Sequence, residues 1–151
     1  MDAAALALIT RLGLEPHPEG GHFRRCYESA LRHGGRPALT AIHYLLTRGE
    51  RSRWHRVDAD ECWHWQQGGA LELRMLDPHT RSLHVCRLGA ADAGEPPMQV
   101  VPAGWWQAAR PLEAFTLVAC TVSPGFVWDC FTLMAEDDPL AHWLRAQGQW
   151  P

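Results

Sequence analysis

An imidazole and a carboxylate six positions apart, His55 and Glu61, are the pair in this chain best suited to move a proton. Histidine titrates near neutrality, and a carboxylate beside it can orient the ring, so the two together supply a general base and its positioning partner. Both lie in the stretch GERSRWHRVDADECWHWQQG, Gly49 to Gly68, together with Trp54, Trp63 and Trp65. That spacing of glycines, polar groups and large flat rings suits a β-hairpin forming one wall of a pocket. Eight tryptophans in 151 residues serve equally as core, as interface or as platforms for a sugar or other ring.

The elements that must carry these groups are mostly short strands. Leu39 to Thr47 is almost continuously apolar, as expected of a central strand, and holds His43 and Tyr44. Leu71 to Asp77 and Leu83 to Leu88 flank the turn Asp77-Pro78-His79-Thr80 as a hairpin. Residues 89–97, GAADAGEPP, read as a surface loop. Met98 to Val101 leads to the corner PAGWWQ, which offers Trp106 or Gln107 to the interior, and Leu112 to Thr121 is a further apolar strand. Helices are expected only at the ends. One runs from a capping Asp2 to Leu12 with Gly13 to stop it, and one starts at Asp138-Pro139 and covers an end of the body. About ten short strands describe an all-β body of two antiparallel sheets, a jelly roll in a single domain spanning residues 1–151.

Composition narrows the classes. A net charge of −3 without a run of either sign offers no footprint for nucleic acid or a membrane surface. No apolar run approaches a membrane span, no secretion signal is indicated, and a cytoplasmic location is expected. The five cysteines, Cys26, Cys62, Cys86, Cys120 and Cys130, are odd in number and lack any C-x2-C pair, which favours reduced thiols acting as small hydrophobes. In the segment HPEGGHFRRCY, Gly20 and Gly21 either make a turn or let backbone approach a ligand, with Glu19 and Arg24 as a charge pair at the rim. His17, His22 and His33 are expected to be solvent-exposed.

Three separated strings carry a resemblance. Gly49, His55, Glu61 and Gly68 reproduce the first motif of the cupins, G-x5-H-x-H-x3,4-E-x6-G, with Val57 in place of its second His. Pro102, Gly104 and Gln107 fall on the core of the second motif, with Gln107 in place of its His. HPEGG with VSPGF, Val122 to Phe126, narrows the resemblance to the cupin-5 family of sugar-epimerase-like proteins of unknown function. The resemblance implies a cupin double-stranded β-helix with short terminal helices, a small-molecule ligand and a homodimer.

Of the metal ligands of cupins this chain keeps His55 and Glu61; with Gln107 a weak donor, no metal cofactor is favoured. A divergent divalent-metal lyase or dioxygenase would use His55, Glu61, Gln107 and His43 or His64. The preferred reading is a metal-independent isomerase or epimerase acting beside a carbonyl. In it His55 is the base, Glu61 its orienter, and Tyr44, Arg24 or Gln107 polarises the oxygen while Trp63, Trp65 and Trp106 stack on the substrate. A non-catalytic metabolite-binding cupin is the alternative. With Glu61 inward, period-2 alternation turns Trp63 and Trp65 inward and His64 outward, whereas the family string DE-x-W-H puts His64 at the site; a bulge would reconcile the two. Where the family has an acid after VSPGF this chain has Cys130, which would alter any chemistry that acid performs.

Overall fold

The computed structural model describes all 151 residues. Two antiparallel sheets face each other. The first has six strands in the order Glu15–Pro16, His22–Glu28, Thr40–Thr47, Phe115–Ser123, Asp60–Gly68 and Met98–Val101. The second has five, in the order Phe131–Leu133, Ser52–Val57, Trp106–Pro111, Leu71–Leu76 and Leu83–Leu88. From Thr40–Thr47 onward the chain passes back and forth between the sheets, apart from the hairpin of Leu71–Leu76 and Leu83–Leu88, which is the jelly-roll expectation realised. The apolar strand predicted over 112–121 is displaced to Phe115–Ser123, because residues 112–114 turn the corner from the second sheet to the first.

Between the sheets, one end of the hollow is filled. Tyr44, Leu46, Trp63, Leu71, Leu73, Leu88 and Val118 are all essentially inaccessible there. Burying each such side chain is worth roughly 1.5–3 kcal/mol, so this end supplies much of the force that holds the sheets together. The outer faces are partly covered by the helices. α1 (Ala3–Leu12) is capped by the Asp2 carboxylate, which accepts from the Ala4 and Ala5 amides, and stopped by Gly13 in the left-handed region. It packs on Leu45, Phe115 and Leu117 of the six-stranded sheet. α2 (Pro139–Ala146) sets Ala141 and Leu144 against Trp54, Leu76 and Trp106. It therefore lies on the outer face of the five-stranded sheet and does not close an end of the barrel, because that face carries two indoles needing cover.

Candidate functional site

The other end of the hollow is open. A cavity of about 380 Å³ lies there, within the range of small-molecule sites, and its walls include Glu15, His17, Glu19, Phe23, Arg25, His55, Glu61, Trp128 and Phe131.

His55 stands on Ser52–Val57, whose alternation turns Trp54 outward and His55 and Val57 inward. Its Nδ1 donates to the Arg53 carbonyl at 2.7 Å, so that nitrogen carries a proton. Its Nε2 lies 2.9 Å from Glu19 Oε2. A proton must sit in that second contact as well, and the opposite shifts of the two groups put it on the ring, making the pair an imidazolium and a carboxylate. Burial on its own would lower the His55 pKa and raise that of Glu19. The charge and hydrogen bond between them reverse both shifts, raising His55 and lowering Glu19.

Glu19 reaches this position because the loop before the first long strand dives between the sheets. The Glu19 carbonyl accepts from the Arg53 amide at 2.9 Å, and the Tyr44 hydroxyl donates to the Gly20 carbonyl. Gly20 and Gly21 have φ of 113° and 74°. A Cβ on Gly20 would collide with the Arg51 carbonyl, and one on Gly21 would lie 2.8 Å from the Leu45 carbonyl oxygen. Only glycine permits so close an approach at that φ. The bare-turn reading of these glycines gives way to close backbone passage, and Glu19 pairs with His55, not with Arg24.

Glu61 is the second buried carboxylate. Its Oε1 accepts from Gln107 Nε2 at 2.8 Å, while Gln107 Oε1 accepts from Trp63 Nε1 at 2.7 Å. The amide is thus fixed in one orientation and Glu61 Oε2 has no partner within the protein. Burial pushes the Glu61 carboxyl up from 4.5 to about 7; the His55 charge opposes this and the Glu19 charge adds to it. One fold has set two carboxylates apart: Glu19 ionised, Glu61 poised near neutrality. His17 completes the polar wall. Its Nδ1 accepts from the Glu19 amide at 3.1 Å, placing the proton of the neutral ring on Nε2, and burial lowers its pKa.

The mouth is aromatic. Trp128 and Phe131 lie in contact with the His17 ring, and Phe131 stacks on His55 at 5.5 Å. Their loop is fixed at three carbonyls and an amide: Arg36 donates to Gly125 O and Pro124 O, Arg25 to Phe126 O, and the Phe126 amide to Thr40 Oγ1. This is the structural content of VSPGF. Cys130 Sγ meets Arg36 at 3.5 Å and is not part of the cavity wall.

Of the predicted site residues, His55 and Glu61 line the cavity. Gln107, Trp63 and Tyr44 stand one layer behind it, Gln107 and Trp63 supporting Glu61 and Tyr44 the Gly20 carbonyl. Five of the predicted site residues require correction, as do two histidines expected at the surface. Arg24, His43 and His64 fall in one cross-strand row with Ala119, on the face of the six-stranded sheet that points away from the cavity. The bulge in Asp60–Gly68 falls beyond Trp65, between its pairings to Val118 and Leu117, too late to turn His64 inward. Trp65 faces the filled end, its Nε1 donating to the Gly69 carbonyl. Trp106 lies under α2 with the Arg56 guanidinium 4.7 Å from its ring. His17, expected at the surface, is largely buried, and His22 is half-buried.

The cupin metal position does not suit a resident metal in this arrangement. Both ring nitrogens of His55 are committed, Val57 has no donor, and Gln107 turns its NH2, not its oxygen, towards Glu61. No group of three or more His, Cys, Asp or Glu side chains is arranged to hold an ion.

The family model described as "Cupin superfamily (DUF985)" matches residues 6–134. The chain belongs to this cupin family. Among solved structures, protein SO0799 from Shewanella oneidensis is 36% identical over 98% of this cupin and 94% of its own chain, with a TM-score of 0.87. A hypothetical protein from Leishmania major is 29% identical over 96% and 93%, with a TM-score of 0.80. Oxalate decarboxylase from Bacillus subtilis is similar in fold at 14% identity and a TM-score of 0.63, this cupin spanning 34% of that chain. No curated protein matches it. No helix of this cupin is long and apolar enough to cross a membrane.

Proposed function

We propose that this cupin is a metal-independent isomerase that moves a proton beside the carbonyl of a small, sugar-like molecule. The observation that carries the reading is the state of Glu61: enclosed in the cavity wall, held by one oxygen on Gln107 and free at the other. A carboxyl with a pKa of about 7 is divided between base and acid at neutral pH, the condition under which one group can both take and return a proton. In the step proposed, ionised Glu61 removes the proton on the carbon next to the carbonyl. The C–H electrons form an enolate, and the fixed positive charge of His55 in the same wall stabilises its oxygen. The hydroxyl on the deprotonated carbon passes its proton to the enolate oxygen and becomes the new carbonyl, while Glu61 returns its own proton to the former carbonyl carbon, so every proton removed is replaced.

The roles therefore differ from those suggested by sequence: Glu61 is the proton carrier and His55 the electrostatic partner. A single free carboxyl favours isomerisation on one face over epimerisation, which needs a second donor opposite. Trp128 and Phe131, rather than Trp63, Trp65 and Trp106, are the rings available to a sugar face.

Deuterium incorporation from heavy water into a panel of keto-sugars, followed by NMR, tests the reading. Exchange at the carbon beside the carbonyl is expected, unchanged after chelation and abolished in Glu61→Gln. Binding without exchange across the panel would overturn it in favour of a metabolite-binding cupin.

A further inference from the structure

The cavity contains one cation that the protein leaves without a counter-ion. Glu15, Glu19 and Glu61 bring three carboxylates to its walls, of which Glu19 is paired with His55. Arg25 also lines it, and no carboxylate lies within 4 Å of its guanidinium, unlike Arg36, Arg87 and Arg110, which pair with Asp58, Glu95 and Glu72. Glu15, on the adjoining strand, sits opposite Phe23 and makes no ion pair with Arg25.

The guanidinium is nevertheless held. Nη2 donates to the Phe126 carbonyl at 2.9 Å, in the loop that carries Trp128. A planar fork anchored at one nitrogen keeps its remaining N–H groups in a fixed direction, the preorganisation that suits carboxylate or phosphate oxygens. Arg25 is exposed to water while Glu61 is buried, so the two mark the outer and inner parts of one cavity.

We infer that the ligand of this cupin carries an anionic group, a phosphate or carboxylate, which Arg25 holds at the mouth while the uncharged carbonyl end enters towards Glu61. The inference names the substrate class within the proton-transfer reading and rests on that reading for which end reacts. The anion stops at the rim, away from the buried Glu19 and Glu61, so that exposed Glu15 is the one carboxylate Arg25 has to outweigh there. Arg25 is a specificity residue and not a catalytic one.

The test uses a matched pair of probes, fructose 6-phosphate and fructose, with calorimetric affinity and deuterium exchange measured separately. Wild-type protein is expected to bind the phosphate at least tenfold more tightly than the neutral sugar. In Arg25→Gln, which also loses the bond to the Phe126 carbonyl, that preference falls to about twofold or less because the phosphate loses more affinity than fructose does; Arg25→Lys retains part of it. A preference that survives Arg25→Gln, equal affinity for both probes, or binding of neither at millimolar concentration overturns the assignment. Exchange into both sugars with no effect of Arg25→Gln leaves proton transfer standing and removes the anion site. An Arg25-dependent preference without exchange does the reverse. Thermal unfolding of Arg25→Gln at the wild-type temperature shows that the comparison is between folded proteins.

Discussion

The two ends of the space between the sheets are built from the same strands and hold opposite contents. On Asp60–Gly68, Glu61 faces the cavity and Trp63, two residues on, closes the filled end; on Thr40–Thr47, Ile42 faces the cavity and Leu46 the core. Gln107 stands at the boundary, its oxygen turned to the indole of Trp63 and its nitrogen to Glu61. The lesson is a division of labour. Hydrocarbon at one end holds the sheets together, which lets the other end keep charged groups out of water at a local cost that the fold can carry.

The contrast is sharpest at the ion pair. Glu19→Ala leaves the His55 imidazolium buried without its partner, and a loss of about 3–5 kcal/mol is expected in urea unfolding. The double variant Glu19→Leu/His55→Leu should lose clearly less than Glu19→Ala does. If both variants lose the same, the cost is one of packing and the two ends are not energetically different in kind.

A pure packing change at the filled end gives the reference. Leu73→Ala should cost about 2–5 kcal/mol while leaving affinity for any cavity ligand within twofold. A large change in affinity would show that the ends communicate.

Glu61 then isolates the electrostatic burden. Its folded pKa, about 7, is raised above the ordinary 4.5, so its neutral form is the one the fold favours. The associated stability is fully present below about pH 4.5 and is lost as pH climbs through 7, on the order of 3 kcal/mol by pH 8. Glu61→Gln keeps the hydrogen bond from Gln107 and removes the titration. It should match wild type near pH 4.5 and be more stable by that order at pH 8, with proton exchange abolished; equal stability at both pH values would contradict the assignment.

The smallest effect is expected at the mouth. Trp128 is 51% exposed, so Trp128→Ala should change stability by less than about 0.5 kcal/mol. Loss of ligand affinity with an unchanged unfolding midpoint would place the ring on the ligand rather than in the core.

Much of the fold was legible, because alternation and turn residues mark strands locally. His55 and Glu61 were legible because they hold fixed positions of the cupin first motif between Gly49 and Gly68, and it is the resemblance that turns Glu61 inward. Arg24 and His43 were misplaced because parity within one strand does not say which face of its sheet is inner until the second sheet is known; His64, which alternation turned outward, was drawn to the site by the family string. Trp106 and Gln107 could not be told apart at a corner, since either parity was open. Glu19 and His17 were undervalued because they sit on irregular backbone with no period to read. The signal was there in Gly20 and Gly21, whose missing side chains mark a chain passing through a gap too narrow for any other residue.

The doubly bonded imidazole of His55 has a spectroscopic consequence. With one ring proton held by the Arg53 carbonyl and the other by Glu19, both are shielded from solvent and tied to short acceptors. They should persist as two separate far-downfield proton resonances in water, giving a built-in reporter. A molecule entering the hollow would shift the Nε2 line and leave the Nδ1 line in place, so occupancy could be followed without knowing what the molecule is.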